Sequence, residues 1–279
     1  MNLLWLGDPK AFDAALVGGK AANLSRLARM YHRVPDGFSL PVTVMDEVHP
    51  FDLRDEITAA ISDLMNCHSL PDFIAAVRSS AVDEDGATAS FAGQHETYLN
   101  IVGADAILQA VTRCWVSARS EHALDYRRQQ GLSVKRPQLA VLVQQLVAAD
   151  VAAVVFSANP ITGSRDEVMI NASWGLGESI VGGTVMPDTF IVRKSDLAIV
   201  QRVIADKQRM TVSAPGGTHE VEVPRFLRNT SSLNDEQVIE MAELALTLET
   251  TMDYPVDVEC AYAEGELYLL QCRPITTLH

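Results

Sequence analysis

The sequence predicts an α+β fold of two lobes, with a C-terminal half that is rich in strands. After residue 137, short runs of β-branched residues recur at regular spacing, which is typical of strands. One long amphipathic stretch, from Asp235 to about Met252, has the 3.6-residue period of a helix. Near the C-terminus, apolar and polar residues alternate on both sides of an acidic turn that contains Gly265, which predicts a β-hairpin. We therefore expect an N-terminal lobe over residues 1–136 and a C-terminal lobe over residues 137–279.

The N-terminal lobe is predicted to mix helices with a few short strands. A glycine pair precedes an amphipathic stretch that ends near Met30, so a tight turn should lead into a helix. The acidic segment from Asp83 to Gly93 contains small residues and glycine, and we expect a mobile loop there. The other predicted elements are a turn at 34–38 that enters a strand, a helix over 51–67, a strand over 75–81 and a helical stretch over 104–130 that Gly131 ends.

The C-terminal lobe is predicted to contain one well-formed helix among its strands. Asn234 lies three residues before Gln237, which is the spacing of a capping box. The polar, turn-rich segment 205–230 is expected to be a surface excursion. Strands are predicted to start at Leu139, Val151, Glu167 and Thr189, and the helix should bury Val238, Met241, Ala242, Ala245 and Leu248.

Composition excludes several classes of function. The net charge of -14 argues against general binding to nucleic acids, although a few basic residues can still form a local phosphate pocket. The sequence has no run of 18 apolar residues and no secretory leader, so we expect a cytoplasmic protein without a membrane span. None of the four cysteines has the spacing of a metal site, and Cys260 and Cys272 are expected to be small buried hydrophobes.

The polar face of the terminal hairpin is the most informative candidate site. Asp257 and Glu259 share one face of the first strand, and Gln271 and Arg273 share one face of the second. A turn with an odd number of residues would place Glu259 opposite Gln271, whereas a two-residue turn would separate these faces. Carboxylate and amide oxygens suit Mg²⁺, and the arginine fork suits a phosphate. The alternative is an edge hairpin with a solvated polar face.

Two basic segments of the N-terminal lobe could bind phosphate. Lys20 follows Gly18 and Gly19 at a predicted helix start, where backbone amides and a cation favour an anion. The alternative is a plain turn with a solvated lysine. Arg78 ends a predicted strand and could face a cleft, or it could form a surface ion pair with the acidic residues at 83–84.

Two glycine-bearing segments are weaker signals. Gly93 lies among small residues, where backbone could approach a ligand closely, although an ordinary hairpin turn is the alternative. His95 has no partner at a spacing that would indicate a catalytic triad. The Gly-x-Gly of Ser173–Glu178 lacks the third glycine of a dinucleotide fingerprint, which disfavours a nicotinamide fold.

Taken in order, these segments resemble the N-terminal nucleotide-binding domain of the phosphoenolpyruvate synthase and pyruvate phosphate dikinase family, which rifampin phosphotransferases share. The resemblance covers almost the whole chain. Its motifs are Val17-Gly-Gly-Lys-Ala-Ala-Asn-Leu24, Val34-Pro-Asp-Gly-Phe38, Val77-Arg-Ser-Ser-Ala81, Ala89-Ser-Phe-Ala-Gly-Gln94, Val143-Gln144, Val155-Phe-Ser-Ala-Asn-Pro160, Ser173-Trp-Gly-Leu-Gly-Glu178, Pro187-Asp188, Asp257-Val-Glu259 and Gln271-Cys-Arg-Pro-Ile275.

This resemblance implies an ATP-grasp fold with ATP between the two lobes, and it implies a role for each matching position. Lys20, Arg78 and Arg273 are the expected catalytic residues, since they would contact the phosphates. Glu259 and Gln271 are expected to hold Mg²⁺ and would also contact the nucleotide. The remaining expected nucleotide-binding residues are Gly93 and Thr97, near the triphosphate, and Gln144, in the adenine pocket.

The resemblance also implies phosphoryl transfer from ATP, with three hypotheses about what receives the group. The leading one is a histidine on a separate carrier domain or subunit, because the chain ends just after Gln271–Ile275 and none of the seven histidines lies in a carrier-like loop. The second is direct transfer to a small-molecule acceptor, and the third is a nucleotide sensor without catalysis.

Two departures from the family are expected: a shortened helical insert over 49–74, and altered packing at Cys260 and Cys272.

Overall fold

The computed structural model describes residues 3–47, 53–82, 96–129, 138–276 and 278. The chain divides into two compact units: the first runs to Leu146 and includes Pro215–Gly217, and the second contains the rest. The predicted lobe boundary lies ten residues earlier, between 136 and 137. The difference arises because the strand over Leu139–Gln145 is hydrogen-bonded on both sides to strands of the first unit.

The first unit contains a five-stranded antiparallel sheet in the order β1-β2-β5-β3-β4. Its elements, in chain order, are β1 (Leu4–Trp5), a 3₁₀ helix (Pro9–Phe12), α1 (Ala14–Arg29), β2 (Gly37–Leu40), α2 (Val44–Glu47), α3 (Arg54–His68), β3 (Ile74–Ala81), β4 (Thr97–Val102), α4 (Ala104–Ser117), α5 (Glu121–Gln129) and β5 (Leu139–Gln145).

The two faces of this sheet are covered by different helices. One face forms a continuous apolar core with α3 and α4, and Val77 of β3 and Val143 of β5 belong to that core. Successive strand residues point to opposite faces, so Arg78 and Gln144 point away from it. Helix α1 packs against β3 and β5, and its buried residues lie outside the α3–α4 core. Arg78 and Gln144 therefore lie on the α1 side of the sheet.

The stretch 104–130, predicted as one helix, forms two helices. Helix α4 ends at Ser117 and α5 starts at Glu121. Ser120 marks the new start, because its hydroxyl accepts a hydrogen bond from Ala123 N at 3.2 Å, as an N-cap serine does. Four consecutive polar residues, 119–122, interrupt the apolar period at this point, and the prediction of a single helix overlooked them.

The second unit contains a six-stranded antiparallel sheet in the order β13-β12-β6-β7-β8-β9, and a separate pair of strands, β10 and β11. The predicted α+β class with a strand-rich C-terminal half is confirmed. The elements of the second unit, in chain order, are β6 (Val151–Phe156), β7 (Glu167–Trp174), α6 (Glu178–Val181), β8 (Asp188–Arg193), β9 (Ile199–Val203), β10 (Arg209–Ala214), β11 (Gly217–Glu222), α7 (Arg225–Arg228), α8 (Asp235–Met252), β12 (Val256–Ala263) and β13 (Glu266–Pro274).

Helix α8 packs on one face of this sheet and begins as the sequence predicts. Asn234 and Gln237 form the reciprocal capping box, at 2.9 Å and 3.0 Å. The helix buries the five residues of the predicted stripe. Neither α8 nor any other helix of the described residues is long and apolar enough to cross a membrane.

The segment 205–230 is more structured than its polarity predicts. It contains β10, β11 and the short α7. A two-stranded ribbon whose side chains are half-buried or exposed, with Thr211 the exception, needs few apolar residues, so it lacks the sequence pattern of a buried strand.

Two family motifs have structural roles in this unit. Gly175 has φ +78°, and a Cβ there would lie 2.4 Å from Thr211 O, so glycine allows β10 to approach. Asp188 is fully buried and accepts hydrogen bonds from Lys207 Nζ at 2.6 Å and from Ser232 N and Oγ at 2.8 Å. Lys207 is also fully buried, so this ion pair joins β8 to the segment before β10, and the hydrogen bonds from Ser232 join β8 to the segment before α8. Removing one partner of such a pair leaves an uncompensated charge in the interior.

Thiol labelling should find one reactive cysteine in the native protein. All four cysteines lie within the described residues and none forms a disulfide, but only Cys67 is exposed. Burial raises the pKa of the Cys114 thiol to about 12, so at neutral pH it is both inaccessible and protonated. We expect an aromatic disulfide reagent to titrate one thiol rapidly, and all four in denaturant. Cys67→Ser should abolish the rapid phase, and two or more rapid thiols in the native protein would contradict the structure.

Candidate functional site

Lys20 lies at the start of a helical segment, as the glycine pair predicts. Gly18 interrupts α1 with φ +76° and ψ 164°, and regular helix follows it. Lys20 is only 5% exposed, and its Nζ donates to Ser79 O at 3.0 Å. The backbone N of Ala21 donates to Ser80 Oγ at 3.2 Å. The ammonium group is therefore held against strand β3, and a fully solvated Lys20 is excluded.

Gly18 is required at this contact for two reasons. Its positive φ is unfavourable for other residues, and a Cβ would lie 2.2 Å from Ser80 O. We expect Gly18→Ala to lower the free energy of unfolding by roughly 3 kcal/mol, which sums a left-handed backbone penalty and a displacement of β3. Urea unfolding measures the change.

Gly7→Ala is the matched control for this prediction. Gly7 has φ +85°, but no atom lies within 4 Å of the position that a Cβ would take, so alanine there carries the backbone penalty without a clash. Its effect should be roughly 1–2 kcal/mol. Equal losses for the two variants would show that the contact with Ser80 has no energetic weight.

Arg78 and Thr97 are brought together by the pairing of β3 with β4. They are directly opposite in the antiparallel register, so their side chains share one face. Ser80 is two residues from Arg78 on β3 and shares that face as well. The α1 side of the sheet thus carries Arg78 and Thr97, and Lys20 is held at Ser79, the residue after Arg78. This places two of the predicted phosphate-binding cations on adjoining elements of one unit.

Gln144 lies on the same face but has a structural contact. It is paired with Ala76 on β3 and with Gly37 on β2, and it is 2% exposed. Its Nε2 donates to Pro35 O at 2.9 Å, which fixes the turn before β2. The expected adenine contact of Gln144 stays a prediction.

Several other sequence predictions fall outside the described residues, among them the loop from Asp83 to Gly93, His95 and the helix end at Gly131. Gly93, expected near the triphosphate, is one of them. The acidic residues at 83–84, the alternative partners of Arg78, are others, so the ion pair that they would form is not tested.

In the second unit, the hairpin of β12 and β13 has the predicted register. Glu259 lies opposite Gln271, and Asp257 lies opposite Arg273. The premise that this register needs a turn with an odd number of residues is wrong, however. The turn has two residues, Glu264 and Gly265, with φ +54° and +81°, and Ala263 pairs with Glu266.

A β-bulge restores the register that the two-residue turn alone would shift. Cys260 pairs with Leu269, while Glu259 pairs with Gln271, so Leu270 is an additional residue on β13. This extra residue moves the following side chains of β13 by one position. Gln271 and Arg273 consequently share a face with Glu259 and Asp257.

Asp257 orients the guanidinium of Arg273. Both Nε and Nη2 of Arg273 lie 2.9 Å from Asp257 Oδ2. Burial raises the pKa of Asp257, Arg273 opposes that rise, and the nearby Glu259 adds to it. Two carboxylates and one guanidinium therefore together set the electrostatic potential at this face of the hairpin.

The donor set of this face fits a hard divalent cation. Glu259 offers carboxylate oxygens, and Gln271, 5% exposed, offers a carboxamide oxygen directly across the ladder. Asp257 Oδ1 is a buried carboxylate oxygen without a hydrogen-bond partner among the described residues, which is an environment that a cation would stabilise. The described residues contain no cluster of three or more His, Cys, Asp or Glu side chains suited to a metal.

Sequence reasoning gave no site role to three residues that support the predicted ones. Ser79 and Ser80 hold the segment that carries Lys20. Asp257 orients Arg273. Asp257 had a usable signal, since it is two residues from Glu259 on the same strand face. The serines had none, because their partners are 59 positions away in the chain.

The chain has relatives among phosphoenolpyruvate synthases and phosphotransferases. It is 42% identical over 238 residues to a probable phosphoenolpyruvate synthase of Pyrococcus abyssi, covering 82% of this chain and 29% of the relative. It is 35% identical over 307 residues to a rifampicin phosphotransferase of Streptomyces sviceus, covering 95% of this chain and 35% of the relative. A probable phosphoenolpyruvate synthase of Archaeoglobus fulgidus is 34% identical, matching 100% of this chain and 42% of the relative. The chain thus spans about a third of the length of the first two relatives.

Solved structures and a family model also match this chain. Among solved structures, D-alanyl-alanine synthetase A from Vibrio cholerae gives a TM-score of 0.38 at 13% identity, over 92% of this chain and 59% of that one, and we infer nothing from so low a score. The family described as "Pyruvate phosphate dikinase, AMP/ATP-binding domain" matches residues 42–279, which include Arg78 and the hairpin but not Lys20. This chain therefore belongs to the family of the pyruvate phosphate dikinase AMP/ATP-binding domain.

Proposed function

We propose that this chain binds Mg²⁺-ATP and transfers a phosphoryl group to a histidine on a separate carrier domain or subunit. The observation that carries the proposal is the hairpin register, in which Glu259 faces Gln271 and Asp257 faces Arg273. In this register, the residues proposed as metal ligands and the guanidinium of Arg273 lie side by side. Membership of the nucleotide-binding family supports the choice of ligand. The ATP-grasp interpretation of the two units is part of the same proposal.

The basic residues would act by binding and orienting phosphates. Phosphoryl transfer needs positioning and positive charge near the phosphate oxygens more than it needs covalent help from protein. Lys20 and Arg78 are the proposed phosphate-binding cations of the first unit, and Arg273 is the proposed phosphate-binding cation of the second. Arg273 presents a guanidinium that Asp257 holds in place, which limits the entropy lost on binding.

Glu259 and Gln271 would hold Mg²⁺ when the nucleotide is bound. The ion would supply neutralisation of phosphate charge. Thr97, opposite Arg78 on β4, offers a hydroxyl on the same face for a phosphate oxygen. Gly93 near the triphosphate and Gln144 near the adenine complete the proposed set.

Direct transfer to a small molecule is the second candidate. It is motivated by the relative named rifampicin phosphotransferase, which aligns with 95% of this chain. We place the reaction in the cytoplasm, since four cysteines without a disulfide suit a reducing compartment.

Calorimetric titration with ATP, in Mg²⁺ and in EDTA, tests the proposal. We expect binding that is markedly tighter with Mg²⁺. Product analysis then separates the acceptors: transfer only in the presence of a histidine-bearing partner supports the leading proposal, and turnover with one metabolite alone supports the second. Binding without any transfer would indicate a nucleotide sensor, and absence of ATP binding would overturn the proposal.

A further inference from the structure

Strand β3 contacts the helix of Lys20 at two consecutive positions, Ser79 and Ser80, which directly follow Arg78. The side chain of Arg78 lies on the α1 side of the sheet, the carbonyl of Ser79 accepts from Lys20 Nζ, and the hydroxyl of Ser80 accepts from Ala21 N. Lys20 and Ser80 are 5% and 0% exposed, so these contacts are shielded from water. Shielding matters because water does not compete for the donors there.

The hydroxyl of Ser80 replaces a missing N-cap side chain. After the break in α1, Gly18 occupies the position just before the first helical residue. A serine or asparagine there would accept a hydrogen bond from the backbone N–H two or three residues later. Glycine has no side chain to do so, and Ser80 instead accepts from Ala21 N, three residues after Gly18.

The same geometry explains why the cap comes from another strand. A Cβ at residue 18 would lie 2.2 Å from Ser80 O and 2.4 Å from Ser80 Oγ. A capping side chain at residue 18 and the approach of β3 therefore exclude each other. Because Gly18 has no Cβ, Ser80 can approach the helix start, and its hydroxyl supplies the capping hydrogen bond that Gly18 cannot make.

We propose that Ser80 is a positioning residue for nucleotide binding: it caps the helix of Lys20 from the strand of Arg78 and so fixes the two cations relative to one another. The inference rests on the proposed function, in which Lys20 and Arg78 contact the phosphates. Without the cap, the first helical turn loses one hydrogen bond and can fray. Lys20 is in that turn, so fraying reduces the fraction of molecules in which its ammonium group is correctly placed.

Calorimetry on the full chain tests this role. We expect Ser80→Ala to weaken binding of Mg²⁺-ATP about fivefold, which corresponds to the loss of one helix cap. Binding of adenosine, which has no phosphate, should not change. Ser39→Ala is the matched control, because Ser39 is also fully buried on this sheet and its hydroxyl contacts Val141 O at 3.4 Å instead of α1. It should leave the affinity for ATP unchanged.

A double-mutant cycle shows whether Ser80 acts through Lys20. In a Lys20→Ala background, Ser80→Ala should have less than about a twofold further effect, because the group that it positions is gone. Thermal unfolding of both serine variants separates an effect on affinity from a general loss of stability. Two results would overturn the inference: wild-type affinity in Ser80→Ala, or a fivefold effect that persists without Lys20.

The same cycle distinguishes this inference from the proposed function. Weak ATP binding by Lys20→Ala together with normal binding by Ser80→Ala overturns only the positioning role. Normal binding by Lys20→Ala overturns the phosphate-contact assignment of Lys20, and the positioning role with it.

Discussion

Replacing Glu259 with alanine is expected to remove the Mg²⁺ dependence of ATP binding while the fold is retained. Glu259 is half-buried, and its partner across the ladder is Gln271. Tyr262 of β12 contacts Glu240 of α8, so Glu259 lies on the other face of the strand, away from α8. Loss of the only carboxylate of the proposed ligand pair should lower the affinity for Mg²⁺-ATP by on the order of a hundredfold. The Kd ratio between EDTA and Mg²⁺ should then approach one. Phosphoryl transfer should be lost with it.

Glu266→Ala is the matched control for Glu259→Ala. Glu266 is on the same hairpin, but it is exposed beside the turn, opposite Ala263. It should bind ATP with the wild-type dependence on Mg²⁺. Unfolding of Glu259→Ala, or unchanged dependence on Mg²⁺, would show that Glu259 is a structural residue and not a metal ligand.

The second large effect is expected from Arg78→Ala. Hydrogen bonds to a charged group are worth roughly 1.5–3 kcal/mol, so the Kd for ATP should rise about 10- to 100-fold. Arg78→Lys keeps the charge but loses the planar fork, and it should restore only part of the affinity. Calorimetry with ATP measures both variants.

Arg54→Ala controls for the loss of a positive charge from the first unit. Arg54 is exposed and forms an ion pair with Asp105 at 2.6 Å, so its removal should leave ATP affinity unchanged. If Arg78→Ala and Arg54→Ala weaken ATP binding equally, the effect is a general electrostatic one. Arg78 would then have no direct role at the phosphates.

The hairpin shows how far sequence could predict the candidate site. Alternation predicts correctly that Asp257 and Glu259 share one face of β12 and that Gln271 and Arg273 share one face of β13. It also narrows the register to two options that differ by one residue. The pattern did not choose between them, and the assumed link between register and turn length was wrong, since the turn has two residues and the bulge at Leu270 supplies the shift. A bulge leaves no clear trace in the pattern, because Leu269 and Leu270 are both apolar.

The sequence alone determined the local features of this protein. The α+β class, the capping box of α8 with its buried stripe and the glycine turn before Lys20 follow from short-range patterns, because backbone capping and hydrophobic periodicity act within a few residues. Family membership followed from the order of short motifs along the chain.

Only the tertiary structure decided which distant residues support these features. It assigned the strand Leu139–Gln145 to the first unit and brought the hydroxyl of Ser80 to the helix of Lys20. These outcomes depend on strand order and on contacts between segments far apart in the chain. No local propensity encodes them, since the same residues satisfy the same local pattern whichever strand becomes their neighbour.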